Sequence, residues 1–270
     1  DEFLVVTPAA TVRRDLHWIT GHIPDDAHAF ATDVTAGEAV FVVMGPQARD
    51  FLSPLIPQSL TNEAFPFGTM QTIEIGYALA RAHRVTYVGE LGWELYVSAD
   101  MANHVFDTIA ARAEDHPLQL CGLHALDSCR IEKAFRHFGH DISNEDHVLE
   151  AGFGFAVKET KPEGRFGPMI GCDAVKAKRN DGLSQRLMQF RLKDPDPLLY
   201  HNEAILRDGE LVGYLTSGNY GHHLAGAIGL GYVKCGVAGE SAQDQLNSTY
   251  SIDVAGKIIE AEVSVKPMYD

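Results

Sequence analysis

The 270-residue sequence lacks any apolar run near the roughly 20 residues that cross a bilayer, which excludes a membrane-spanning helix. No secretory leader pattern is visible either. Positive charge is also short: 22 Lys and Arg stand against 37 Asp and Glu, for a formal charge of −15. A nucleic-acid surface needs a basic face, so that class drops out. The acidity is spread along the chain and speaks for solubility more than for a partner. Cysteine is scarce. Cys121, Cys129, Cys172 and Cys235 lie far apart with no CxxC pair, which favours reduced thiols in a cytoplasmic or mitochondrial-matrix protein.

Several catalytic signatures are missing as well. There is no GxSxG elbow, so a hydrolase triad has no anchor. "GLGYVKCG" and "GFGF" do not open a helix after a strand, which leaves a dinucleotide fold and a P-loop unsupported. A flavin or nicotinamide, if the reaction uses one, is held elsewhere. His137 and His140 in "RHFGH", and His222 and His223 in "GHH", have no HExxH or Cys/His company. A metal site needs a third ligand and support behind it, so none is expected.

What is present is an α+β pattern followed by a β appendage. The chain starts directly on "DEFLVVT", a strand pattern without an initiator methionine, which points to processing or, preferably, to a longer polypeptide. A helix follows with Val12, Leu16 and Ile19 on one side. "GEAVFVVMGPQARDFLSPLI" repeats strand into helix, with Pro46 near the helix start. Short strands then lead to a helix in "ADMANHVFDTIAARAED", behind a Ser98 or Asp100 cap. Around "KETKPEGRFGPMIGCDAVKAKRNDG" the composition turns polar, which sets a domain boundary between 1–181 and 182–270. The later part is all strand and turn, with "RDGE" as a hairpin, and suggests a small antiparallel barrel.

Two stretches carry candidate chemistry. In "YVGELGWELYV", residues 87–97, Trp93, Leu95 and Val97 share one strand face, and Glu94 and Tyr96 the other. A hairpin symmetric about Glu90 and Leu91 sets Tyr87 opposite Glu94, with β-carbons about 5 Å apart. That pair is either a wet hairpin edge or a ligand edge, with a ring to press on and a carboxylate for paired donors. In "LDSCRIEKAFRHFGHD", Arg130, Lys133 and His137 form a basic stripe and Glu132 and Arg136 an i,i+4 pair. The stripe is either a solvated helix face or a receiver for an anionic ligand tail.

"YVGELGWELYV", "GLHALDSCRIEKAFRHFGHDI", "LEAGFGFAVK" and "GYLTSGNYGHHLAGAIGLGYV" together resemble the folate-binding aminomethyltransferase family, that of the glycine-cleavage T-protein. The resemblance runs the length of the chain. "RHFGHDI" and "YHNEAILRDGELVGYLTSG" favour the branch fused behind flavin domains in dimethylglycine dehydrogenase, dimethylglycine oxidase and sarcosine dehydrogenase. It implies a multi-lobed fold around tetrahydrofolate, here N-terminally truncated, with a C-terminal antiparallel β-barrel. It implies that Glu94 grips the pterin through its amino group and ring N–H, and that Tyr87 sets a ring beside it. Arg130 and Tyr269 join these as folate contacts. Arg130, with Lys133 and Arg136, is expected to attract the glutamyl tail.

Leu126 stands where T-proteins carry a folate-holding arginine. The family's catalytic aspartate follows a "GG" turn upstream of Asp1, so no catalytic residue is assigned and the isolated chain is expected to be inactive. The implied reaction joins an iminium made from an N-methylated amine to tetrahydrofolate as the 5,10-methylene form. FAD would sit in a separate oxidoreductase domain, upstream or in a partner chain. A stand-alone aminomethyltransferase and a non-catalytic folate-binding or assembly module are the competing readings.

Overall fold

The computed structural model describes residues 2–114, 116–157, 169–237 and 239–269. They fall into two compact units, residues 1–86 with 90–120, and residues 87–89 with 121–270. In the first unit, residues 2–8 form no strand, against the expectation for "DEFLVVT". Val5 and Val6 are 61% and 64% exposed, and no described segment pairs with them. An extended segment without a ladder partner leaves its N–H and C=O groups to water. The expected helix follows as α1 (Val12–Gly21), with Val12, Leu16 and Ile19 half-buried on one side.

Strand β1 (Glu38–Met44) runs past Pro46 into a short helix, α2 (Ala48–Leu52). Strands β2 (Met70–Ile75), β3 (Ala78–His83) and β4 (Gly92–Ser98) complete an antiparallel sheet in the order β1-β4-β3-β2. Helix α3 (Ala102–Arg112) comes after it, with a 3-10 turn between Ser98 and the helix. Alternation sends Trp93, Leu95 and Val97 into a core with Ile73, Ile75, Phe51, Leu52, Val105 and Ile109. Each such side chain contributes about 1.5–3 kcal/mol on burial.

The expected hairpin does not form. Strand β4 pairs with β3, where Glu94 opposes His83, and Tyr87 lies in the loop that joins them. The apolar pattern of "ALARAH" matches the core face of β4, so the longer ladder prevails over the tight glycine turn.

In the second unit, α4 (Leu123–Glu132) precedes α5 (Cys172–Asp181). Part of the polar stretch, residues 158–168, lies outside the described residues. The position expected as a boundary, residue 182, falls between α5 and β5 (Gln185–Leu192). Strands β6 (Ala204–Arg207), β7 (Glu210–Gly221) and β8 (Gly226–Lys234) follow. A short helix, α6 (Ala242–Leu246), then leads to β9 (Tyr250–Val254) and β10 (Lys257–Ser264).

The six strands close a barrel in the order β10-β5-β8-β7-β6-β9, as the strand-rich composition suggested. At "RDGE" the central residues Asp208 and Gly209 have φ of 51° and 88°, the left-handed pair that a two-residue hairpin requires. Gly231 in β8 is a close approach: a β-carbon there would stand 2.6 Å from the Tyr214 carbonyl oxygen. Phe190, Leu215, Val233 and Ile252 fill the barrel, while Ile131 and Ala134 pack against Leu187, Ile228 and Leu230 on its outside.

Candidate functional site

Glu94 stands on the face of the first sheet turned away from the core. Its ladder partners are Val42 on β1 and His83 on β3, and His83 is in turn opposed by Met70. The Tyr96 hydroxyl donates to Glu94 Oε2 at 2.7 Å. Burial first, and then the Glu94 carboxylate, raise that hydroxyl above the ordinary tyrosine range, so it stays a donor. Glu94 is half-buried, and Oε1 has no protein partner among the described residues. Val42 beside it, and Met70 on the far side of His83, are about half exposed.

A carboxylate braced from behind, with free lone pairs on both oxygens and an apolar ledge alongside, matches a flat ring that offers two parallel N–H groups. The acceptor set therefore fits the two-donor pterin edge of tetrahydrofolate.

In the second unit the basic stripe does not form. Helix α4 ends at Glu132, and Ala134 turns the chain back at φ 51°. Lys133, Arg136 and His137 thus leave the helical register that would have aligned them. Arg130 is 1% exposed and its donors are spent inside the unit. Nε meets Asp127 at 2.7 Å, Nη1 meets Asp141 and the Phe135 carbonyl, and Nη2 meets Ser217 Oγ at 2.7 Å. Asp141 also accepts the His137 N–H and the Thr216 hydroxyl. Arg130 locks the turn after α4 onto β7 and has no guanidinium edge left to attract an anionic tail from solvent.

The expected Glu132–Arg136 pair is absent for the same reason. Glu132 Oε1 accepts from the His223 and Leu224 backbone N–H groups, and Arg136 donates to the Ala134 and Ala151 carbonyls.

Tyr87 and Tyr269 gather around this turn. The Tyr87 hydroxyl donates to the Arg136 carbonyl at 3.0 Å, and its ring lies parallel to Phe135. The Tyr269 ring stacks on His223 with centroids 4.3 Å apart, under the Lys133 ammonium at 5.1 Å. The Lys133 stem runs so close to Gly89 that a β-carbon there would collide with it at 2.3 Å.

Sequence reasoning missed two participants. His223 is a stacking partner rather than a metal candidate. Gln189, buried in β5, donates to the Ile131 and Glu132 carbonyls and accepts the Met268 N–H at 2.7 Å. It caps α4 and tethers the segment that carries Tyr269. Its signal was a glutamine amid "LMQF", an amide where an apolar side chain would otherwise pack. Among the described residues no group of three or more His, Cys, Asp or Glu is placed to hold a metal, and no helix is long and apolar enough to cross a membrane.

Comparison with known proteins bears on the family and the fold. Residues 1–161 match the GCVT N-terminal domain, and residues 185–270 match the glycine cleavage T-protein C-terminal barrel domain. A 4-methylaminobutanoate oxidase (formaldehyde-forming) of Paenarthrobacter nicotinovorans is 38% identical over 270 residues, all of this chain and 31% of its own length. The mitochondrial sarcosine dehydrogenase of Mus musculus is 34% identical over 229 residues, 84% of this chain and 24% of its own. The chain thus spans about a third or less of these relatives. An aminomethyltransferase of Geobacillus kaustophilus (strain HTA426) is 30% identical over 269 residues, 100% of this chain and 70% of its own.

The crystal structure of the glycine cleavage system aminomethyltransferase T from Bartonella henselae superposes with a TM-score of 0.75. It covers 96% of this chain and 66% of that one at 21% identity, a likeness that shows the fold. With one domain model spanning more than half of its length and the barrel model most of the rest, the chain belongs to the glycine-cleavage T-protein family of folate-dependent aminomethyltransferases.

Proposed function

We propose that the chain is the tetrahydrofolate-binding, methylene-transfer portion of a flavin-linked N-methylamine dehydrogenase or oxidase, with FAD in a separate domain. The observation that carries the folate assignment is Glu94, braced by Tyr96 with Oε1 open. Tetrahydrofolate, when bound, supplies the nucleophilic nitrogen that captures a one-carbon unit. Glu94 would hold its two-donor edge, Tyr96 would keep the carboxylate oriented, and Val42 and Met70 would shield the ring face from water. Such a site works mainly by positioning. Tyr87 and Tyr269 offer ring surfaces within the second unit, around the turn that Arg130 holds in place.

The flavin-linked context is supported by alignment of all of this chain to 31% of an oxidase, and by 84% coverage of this chain in the alignment to a dehydrogenase. The stand-alone aminomethyltransferase remains the second reading, favoured by the relative of which this chain covers 70%. Titration calorimetry with tetrahydrofolate tests the folate assignment. Saturable one-to-one binding is expected, and its absence in folded protein overturns it. The reading frame on either side of the coding sequence separates the two contexts.

A further inference from the structure

The second unit contains a cavity of about 350 Å³ that the folate reading does not use. Its wall is formed by loop residues between 139 and 146, by His201 and Asn202, and by Tyr214, Thr216 and Tyr232 from the barrel. Three carboxylates line it, those of Asp141, Glu145 and Asp146, and among the described residues no lysine or arginine does. Arg130 neutralises Asp141. Asp146 Oδ2 accepts the Ser143 N–H at 2.7 Å and hydroxyl at 2.9 Å, which leaves Oδ1 open. Among the described residues no cation pairs with Glu145 or Asp146.

A second feature points the same way. Tyr232 is 7% exposed, and its buried hydroxyl has no hydrogen-bond partner among the described residues. Buried polar groups are ordinarily satisfied, so an orphan on a cavity wall marks where a ligand atom belongs. Tyr232 shares this lining with Asp141 and Asp146, and burial, then those two carboxylates, push its hydroxyl above the usual tyrosine range.

We propose that this cavity binds a small aliphatic ammonium ion, with N–H groups donated to Asp146 and the Tyr232 oxygen and alkyl carbons against the Tyr214 and Tyr232 rings. An anion would meet uncompensated carboxylates, and a neutral guest would leave them uncompensated. A divalent cation needs six or more oxygen ligands, from protein and water together, in near-regular geometry. Among the described residues no group of three or more His, Cys, Asp or Glu is placed to hold such an ion. Aromatic faces beside a carboxylate favour a charged nitrogen that carries carbon. The inference goes beyond the folate reading and does not rest on it.

The test is titration of the 270-residue chain with methylammonium chloride at low salt, followed by NMR, with methanol and magnesium chloride as separate probes. Saturable binding of methylammonium and none of methanol is expected. Asp146→Asn should weaken it by about ten-fold or more and Tyr232→Phe by several-fold, the scale of a hydrogen bond to a charged group. The thermal midpoint of Tyr232→Phe should stay level or rise, since the lost hydroxyl bonded to nothing. Equal response to methanol, absence of saturation, or full affinity in both variants overturns the proposal. So does a site that takes magnesium and ignores methylammonium.

Discussion

The Tyr96 hydroxyl and Glu94 Oε2 lie 2.7 Å apart on the same face of β4, two residues apart in sequence. Strand alternation puts them on one face, and the hydrogen bond fixes which carboxylate oxygen remains open. Glu94→Gln is therefore expected to weaken tetrahydrofolate binding by about 1.5–3 kcal/mol, since an amide cannot accept both parallel donors. Tyr96→Phe should cost less, about 0.5–1.5 kcal/mol, by freeing the carboxylate to rotate. Calorimetry on both variants checks the order, and unchanged affinity in folded Glu94→Gln would remove Glu94 from the site.

Arg130 offers a sharper stability test. Replacing it with methionine leaves Asp141 as a buried, unpaired carboxylate, and loss of about 3–5 kcal/mol is expected. Urea unfolding of Arg130→Met measures this, and a loss below about 1 kcal/mol, the level of an exposed pair, would contradict the burial argument.

Acid stability should depend on Glu150. Burial opposes its ionisation, but hydrogen bonds from Lys178 and Ser184 prevail and hold the carboxyl at about 2, below its ordinary 4.5. A depressed carboxyl contributes stability above the unfolded value and loses it as pH falls from 4.5 toward 2. The amount is on the order of 3 kcal/mol. Glu150→Gln should be less stable at neutral pH and flatter between those limits. Parallel pH–stability curves for the two proteins would refute the linkage.

Gln189→Met should loosen the tail that carries Tyr269. It removes an acceptor for the Met268 N–H and a cap for two α4 carbonyls, at a cost of about 1–3 kcal/mol. Hydrogen exchange at the Met268 amide should accelerate while exchange inside the barrel holds. Protection retained at Met268 would mean that another group secures the tail.

The chain by itself is expected to leave methylene transfer at the uncatalysed rate. Asp127 and Asp141, the carboxylates nearest Arg130, are both engaged with it. With these two engaged, no proton-transfer group is assigned among the described residues, and such a group contributes about 10²–10⁴ in rate. Supplying formaldehyde-loaded amine and tetrahydrofolate, then measuring methylene-tetrahydrofolate, decides it. Robust turnover would place the chemistry in residues not assigned to it.

By itself the sequence determined what neighbours along the chain decide. The alternation of Trp93, Leu95 and Val97 assigns the core face of β4, and Asp208–Gly209 dictates the β6–β7 turn through backbone sterics. The motifs around Glu94 and Arg130 were likewise sufficient to suggest the family. Tertiary structure alone decided which surfaces met. Strand β4 took β3 as its partner, so Glu94 faces His83 rather than Tyr87. The reversal at Ala134 broke the i,i+4 register that would have joined Glu132 to Arg136. Arg130, spaced like a surface residue, became the buried anchor of Asp141 and Ser217, partners 11 and 87 positions away. Local dihedral preference acts over a few residues, whereas strand pairing and charge burial depend on segments the chain brings together only once it has folded.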